Sequence, residues 1–171
     1  MIFDIKLSKV PTGMHYMDTE AYQNAKDALK ARDYKAAERA FKIALDSVAE
    51  HDEHYNSVLS YYGLAQVLNS NKNGLLLCRD AASNEVIEGD VFLNLACAEW
   101  QSNNRKRAVD AIRHGVKIDA DNAQLNRACA RLDCRRKSCF SFLPRNHKLN
   151  RFFGRLFRRP GPEATVDSLL F

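Results

Sequence analysis

The chain has 171 residues, of which 46% are hydrophobic and 27% charged, a composition ordinary for a globular protein. Its length favours one domain, and no apolar run approaches the roughly 18 residues that a membrane span needs. Seven glycines and four prolines are few, which disfavours a loop-rich β architecture. The five cysteines are an odd number and follow an N-terminus without a basic-then-apolar run, so we expect reduced thiols and a cytoplasmic protein.

The net charge of +5 is unevenly distributed along the chain. Residues 135–171 contain nine bases and two acids, a net +7, which leaves −2 for residues 1–134. The sequence therefore combines a mildly acidic body with a strongly basic tail.

The first third of the chain predicts an irregular leader and then a helical hairpin. Residues 1–17 alternate only weakly and contain the turn signal Pro11-Thr12-Gly13. Asp18 or Thr19 can cap a first helix, and Asp33 can cap a second. The apolar stripe of the second helix contains Ala37, Ala40, Phe41, Ala44 and Leu45.

Apolar periodicity predicts four more helices, over residues 58–68, 75–82, 91–98 and 108–116. Polar breaks separate them at residues 69–74, 84–90 and 102–104. Asp121 is expected to cap a last helix that runs from residue 122 towards residue 134.

Three kinds of position recur along these helices with the same spacing, 38 and then 33 residues. They are the small residue inside each first helix, the residue that opens the stripe of each second helix, and the small residue later in that helix. The three series are Ala25, Gly63, Ala96; Ala37, Leu75, Ala108; and Ala44, Ala82, Gly115.

Two segments carry a resemblance to a known family. They are Asp33-Tyr34…Ala37…Phe41…Ala44-Leu45 and Leu95-Ala96…Ala108…Ile112…Gly115…Ile118…Asp121. Over about residues 18–122 the chain resembles the tetratricopeptide repeat (TPR) family, whose unit is a helix pair of roughly 34 residues. The sequence departs from the family pattern at Ala21, Arg79 and Ala120, where a large aromatic, an aromatic and a proline are usual. An unrelated α-helical bundle is the alternative.

The resemblance implies an all-α fold of three helical hairpins stacked as a right-handed α-solenoid, with a further capping helix. We expect an irregular leader at residues 1–17, a TPR-like repeat domain at residues 18–134 and a basic amphipathic tail at residues 135–171.

No arrangement of catalytic groups is evident in the sequence. It contains no Gly-rich phosphate loop, no nucleophile elbow and no His-Glu-x-x-His motif. His51 and His54 could form a weak metal pair, but a solvated loop is the favoured interpretation. Cys129, Cys134 and Cys139 recur every five residues, a spacing that does not converge on zinc. We therefore expect a protein that is not an enzyme, with no catalytic residue, metal or cofactor.

The resemblance also implies a concave groove lined by the first helix of each pair. The matching positions are Tyr22, Lys26, Leu29, Ser60, Leu64, Val67, Leu93, Cys97 and Trp100. Tyr and Trp in a concave site are frequent binding anchors, although Trp100 could instead pack against the helix that follows it. Lys26 alone suits a clamp for a terminal carboxylate, so such a clamp is not supported.

The tail predicts a basic amphipathic helix. Its apolar residues Leu149, Phe152, Phe153, Leu156 and Phe157 share one face, flanked by Arg151, Arg155, Arg158 and Arg159. This helix could cap the last repeat, dock on a partner protein or anionic membrane, or contact nucleic-acid phosphates; the last is disfavoured because no RNA-binding motif accompanies the arginines. Residues 166–171 are expected to be disordered or to form a short apolar hook.

Together these features predict a non-enzymatic interaction module that binds a peptide or helix of a partner protein and no small-molecule substrate. The alternatives are a small chaperone or assembly factor, and recruitment by the tail to an anionic membrane or nucleic-acid surface. The tail also allows a peripheral membrane location.

Overall fold

The computed structural model describes residues 20–132 and 165–170, and these residues form helices joined by short turns. The helices are α1 (Glu20–Lys30), α2 (Tyr34–Ser47), α3 (Tyr55–Leu68), α4 (Gly74–Asn84), α5 (Gly89–Gln101), α6 (Arg105–Ile118), α7 (Ala123–Leu132) and α8 (Val166–Leu170). The described residues contain no strand, so the prediction of an all-α fold is confirmed. The leader and most of the basic tail lie outside the described residues.

Three of the turns between helices have the same backbone geometry. Arg32, Ser70 and Asn103 each adopt a positive φ, of 62°, 68° and 62°. In each turn the next N–H donates to a carbonyl five residues earlier: Asp33 to Ala28 (2.9 Å), Asn71 to Gln66 (2.8 Å) and Asn104 to Glu99 (2.8 Å). This is the Schellman arrangement that ends a helix. The turns are spaced by 38 and 33 residues, so the spacing of the small residues recurs in the backbone.

One helix cap agrees with the prediction from the sequence, and another differs from it. The Asp33 carboxylate accepts a hydrogen bond from the Ala36 N–H (3.0 Å), which confirms Asp33 as the N-cap of α2. The prediction that Asp121 caps α7 is wrong. Asn122 Oδ1 accepts the N–H groups of Gln124 and Leu125, both at 3.0 Å, because α7 begins one residue later than expected.

The helices pack as successive pairs. The members of each pair contact each other, α1 with α2, α3 with α4 and α5 with α6. The first helix of each later pair packs on the pair before it: α3 packs on α2, and α5 packs on α3 and α4. The helix α7 packs in the same way on α5 and α6. The core that results is continuous, and its largest fully buried side chains include Phe41, Leu64, Leu93, Ile112 and Leu125.

Glycine is required where α3 and α4 approach each other most closely. A Cβ atom placed on Gly63 would lie 2.7 Å from the carbonyl oxygen of Gly74 and 2.9 Å from Cys78 Sγ. Gly115 is similarly enclosed, because a Cβ there would lie 2.8 Å from the Cβ of Phe92. The small residues that recur in the sequence are therefore contact points between helices at these two positions.

An ion pair between Arg79 and Glu99 joins α4 to α5. Arg79 on α4 donates to both carboxylate oxygens of Glu99 on α5, at 2.8 and 3.1 Å, and Asn104 Nδ2 adds a third hydrogen bond at 2.7 Å. The Glu99 side chain is only 3% exposed. The hydrogen bonds to Glu99 raise the pKa of Arg79, so the guanidinium stays charged. An ion pair thus joins the second pair of helices to the third where the family usually has an aromatic side chain.

Candidate functional site: a helix-binding surface on α5 and α7

The C-terminal helix α8 packs on the surface of α5 and α7. Its side chains Val166, Leu169 and Leu170 are 7%, 3% and 6% exposed and join the main core. We call the surface under α8 the α8 site; it consists of α5, α7 and the turn Arg32–Tyr34. More than thirty residues of chain separate α7 from α8, so the occupant comes from a distant part of the sequence.

Local sequence explains why five residues form a helix here. Thr165 and Ser168 bond reciprocally: Ser168 N donates to Thr165 Oγ1 at 3.3 Å, and Thr165 N donates to Ser168 Oγ at 3.1 Å. This is the geometry of a capping box. Asp167 lies in the first turn, where a negative charge interacts favourably with the helix dipole. Positions i, i+3 and i+4 then place Val166, Leu169 and Leu170 on one face.

Polar contacts join one end of α8 to the α1–α2 turn and the other end to α7. Asp167 Oδ2 lies 3.0 Å from Arg32 Nη2, and the Tyr34 hydroxyl donates to Asp167 Oδ1 at 3.5 Å. At the other end, Gln124 Nε2 donates to the Leu170 carbonyl at 3.2 Å. Burial, and then the negative charge of Asp167, raises the pKa of Tyr34, so its hydroxyl remains a donor at neutral pH.

The edge of the α8 site that is described is positively charged. Arg127 and Arg131 of α7 lie beside Ser168, Leu169 and Leu170 of α8. Arg32 lies at the opposite end of α8, beside Asp167. The site therefore combines an apolar floor with arginines around it, which suits a short amphipathic helix that carries negative charge.

Most of the groove residues predicted from the family pattern lie in the core. Seven of the nine are 7% exposed or less: Tyr22, Leu29, Ser60, Leu64, Val67, Leu93 and Cys97. Those on α3 and α5 are covered because these middle helices are flanked on several sides; ten of the fourteen residues of α3 are buried. The structure therefore does not present these seven side chains as an open surface.

The two half-buried groove residues, Lys26 and Trp100, make cation–π contacts. Lys26 Nζ lies 5.5 Å from the ring centroid of Tyr22 and 5.2 Å from that of Tyr61. The guanidinium of Arg105, the first residue of α6, lies 5.1 Å from the centre of the Trp100 ring. Trp100 thus contacts the helix that follows it, as the alternative to a groove anchor expected.

A second concave region lies between α4, α5 and α6. It is an open cleft of about 350 Å³, and its lining includes Leu95, Phe92, Arg79, Arg107 and His114. Arg79 is held by Glu99, and the ring of His114 lies 4.9 Å from that of Phe92. These contacts join the helices that form the walls of the cleft.

Potential metal ligands do not converge in the part of the chain that the structure describes. His54 Nδ1 lies 2.7 Å from Glu88 Oε1, and His54 Nε2 lies 3.3 Å from Glu53, whereas His51 is exposed. Across residues 20–132 and 165–170, no group of three or more His, Cys, Asp or Glu side chains could hold a metal ion. The cysteines at positions 134 and 139 and the arginines Arg151, Arg155, Arg158 and Arg159 lie outside the described residues.

Comparisons with known proteins supply no family for this chain. No family model matches it, and no curated protein shows significant similarity to its sequence. Among the described helices, none has both the length and the apolar character needed to cross a bilayer. The geometry of the α8 site is therefore the main basis for a functional proposal.

Proposed function

We propose that the chain is a non-enzymatic protein-interaction module built from TPR-like helix pairs, and that the α8 site binds a short helix of a partner protein. The observation that supports this function is the packing of α8 on this surface. A segment distant in sequence buries a valine and two leucines on α5 and α7, which supports a surface suited to short apolar helices.

Three structural features support the TPR-like arrangement. The helices form successive pairs, the turns within the pairs share one geometry, and those turns are spaced by 38 and 33 residues. The first helices of the second and third pairs also adjoin, because α3 contacts α5, and α5 in turn contacts α7. In a right-handed α-solenoid these helices line the inner side, so α8 would occupy the groove that such repeats use for binding.

The energetics of the site suit peptide binding. Full burial of a valine or leucine side chain contributes about 1.5–3 kcal/mol, so the three apolar side chains of α8 contribute roughly 4.5–9 kcal/mol before the cost of ordering. A helix that places apolar residues at i, i+3 and i+4 is a common way for one protein to dock on another. The same contacts are available to a partner helix once α8 leaves the site.

The test uses the full chain with its own helix weakened. In the variant L169D/L170D, two buried leucines become charged, which should release α8 and open the site. A fluorescently labelled peptide of residues 162–171 should then bind saturably, with a dissociation constant on the order of 100 µM. The same peptide with both leucines replaced by aspartate should not bind.

The matched control is Leu76→Asp, which makes the same chemical change at a leucine that is 63% exposed on α4. This variant should keep α8 docked and bind the labelled peptide no better than the wild-type chain does. Circular dichroism establishes that each variant is folded. Absence of binding to a folded L169D/L170D variant up to about 1 mM peptide would refute the proposed function.

A further inference from the structure

We infer that the α8 site selects partner helices with a carboxylate two residues before the first leucine of a leucine pair, and that the chain's own C-terminal segment is their internal competitor. This inference rests on the proposed function, because it names the class of partner and the regulation of the same site. The partner is a protein segment of the pattern apolar-acidic-x-Leu-Leu, the pattern of Val166–Leu170.

The charge of the occupant is the first observation. Residues 135–162 contain nine bases and no acid, whereas residues 163–171 contain Glu163, Asp167 and no base. The segment that docks is thus the acidic end of an otherwise basic tail. A segment from the basic part would bring positive charge towards Arg32, Arg127 and Arg131, which like-charge repulsion disfavours.

The position of the acid is the second observation. Asp167 receives both the Arg32 guanidinium at 3.0 Å and the Tyr34 hydroxyl at 3.5 Å. These two donors come from the α1–α2 turn, whereas Leu169 and Leu170 pack on the other side of α8 with α5 and α7. The site therefore contacts two features of the bound helix at a fixed spacing: a carboxylate in its first turn and the leucine pair that follows.

Arg32 is also held in place by its backbone. Its φ of 62° and the hydrogen bonds of the Schellman turn fix the start of its side chain at the end of α1. Ser70 and Asn103 occupy the equivalent turns of the next two pairs, and neither carries a positive charge. The cation that meets Asp167 is thus specific to the first turn and defines where along the site the acid of a partner must lie.

Competition follows from the covalent connection between α7 and α8. A tethered ligand has an effective concentration that is millimolar for a short linker and falls as the linker lengthens. More than thirty residues separate α7 from α8. If a free peptide binds the opened site with a dissociation constant on the order of 100 µM, the tethered α8 should therefore weaken its apparent affinity for the wild-type chain by at most about tenfold. A partner must therefore present the same pattern with additional contacts to displace α8.

The experiment compares three labelled peptides of residues 162–171 on the folded L169D/L170D chain. They carry Asp, Asn or Lys at the position of Asp167. The Asn peptide should bind about two- to fivefold more weakly than the Asp peptide, the range expected for a partly exposed ion pair, and the Lys peptide should bind more weakly still. Adding Arg32→Glu to the chain should reverse the order of the Asp and Lys peptides.

The control substitution is Arg39→Glu, at an exposed position of α2, which should leave the order of the three peptides unchanged. Equal binding of the Asp, Asn and Lys peptides would overturn the selection of acidic partners but leave the proposed function standing. Failure of every leucine-containing peptide to bind would instead overturn the proposed function. Equal affinity of the Asp peptide for the wild-type and L169D/L170D chains would overturn the role of α8 as competitor.

Discussion

Replacing Arg79 with methionine tests whether the buried ion pair stabilises the junction between the second and third helix pairs. Methionine keeps an unbranched apolar stem of similar length but removes the guanidinium. Glu99 would then lose two of its three hydrogen bonds, at 2.8 and 3.1 Å, and keep only the one from Asn104. A carboxylate that is 3% exposed would remain without a counter-charge.

The expected cost follows from the burial of the two partners. Removing one partner of a buried ion pair costs about 3–5 kcal/mol, because the remaining charge is left desolvated. The Arg79 side chain is 35% exposed, so water can replace part of the lost interaction. We therefore expect the free energy of unfolding to fall by about 2–4 kcal/mol. That is a large share of the roughly 5–15 kcal/mol typical of a folded domain.

Urea denaturation at pH 7 measures this change as a lower midpoint at unchanged slope. The control is Arg39→Met, an exposed arginine of α2, which should change the free energy of unfolding by less than about 0.5 kcal/mol. Combining Arg79→Met with Glu99→Gln should recover about half of the loss, because no unpaired charge is then buried. If Arg79→Met cost no more than Arg39→Met, the pair would be no stronger than a surface salt bridge, and the expected stabilisation of this junction would be wrong.

Two other predictions concern the close packing of the core. Gly63→Ala gains about 1 kcal/mol of helix propensity, but the new Cβ would lie 2.7 Å from the backbone oxygen of Gly74. We therefore expect the free energy of unfolding, measured by urea denaturation, to fall by about 1–3 kcal/mol. A stabilised variant would contradict the close approach of α3 and α4. Burial raises the pKa of the Cys78 and Cys97 thiols, which therefore remain protonated at pH 8, and site-resolved alkylation of the native chain should modify half-buried Cys129 at least about tenfold faster. Equal rates for the three thiols would refute this.

The positions of helices and turns could be predicted from the sequence because they depend on local signals. Asp33 is a side-chain cap, and its effect extends over only three residues. The polar breaks at residues 69–74 and 102–104 contain Ser70 and Asn103, which take the left-handed conformation that ends α3 and α5. The error of one residue at Asp121 has the same local origin, because Asp121 and Asn122 are both good caps and only the geometry distinguishes them.

The accessible surface could not be predicted in the same way, because it depends on how many neighbours each helix has. Apolar periodicity identifies a buried face only for a helix that is buried on one side. The helix α3 contacts α2, α4 and α5, so residues such as Leu64 and Val67 are covered although they occupy positions that line a groove in the family pattern. Cys97 on α5 is fully buried for the same reason.

The docking of α8 also could not be predicted from the apolar periodicity of the sequence. Five residues are too few to define a helical period, and Val-Asp-Ser-Leu-Leu is compatible with either alternative given for the end of the chain, disorder or an apolar hook. The structure shows that residues 166–170 are docked rather than disordered. The available signal was local and polar, since Thr165 and Ser168 are spaced as a capping box three residues apart, ahead of the leucine pair.

The energy of docking is consistent with the proposal that α8 is a replaceable occupant. Burial of Val166, Leu169 and Leu170 contributes roughly 4.5–9 kcal/mol, while ordering the five residues of α8 costs about 1–2 kcal/mol each. The partly exposed pair between Asp167 and Arg32 adds about 0–1 kcal/mol. The favourable and unfavourable contributions therefore nearly cancel, and the docked and released states differ by only a few kcal/mol. A partner helix that makes the same contacts and adds one more anchor would shift this equilibrium, whereas a tightly locked segment would not respond.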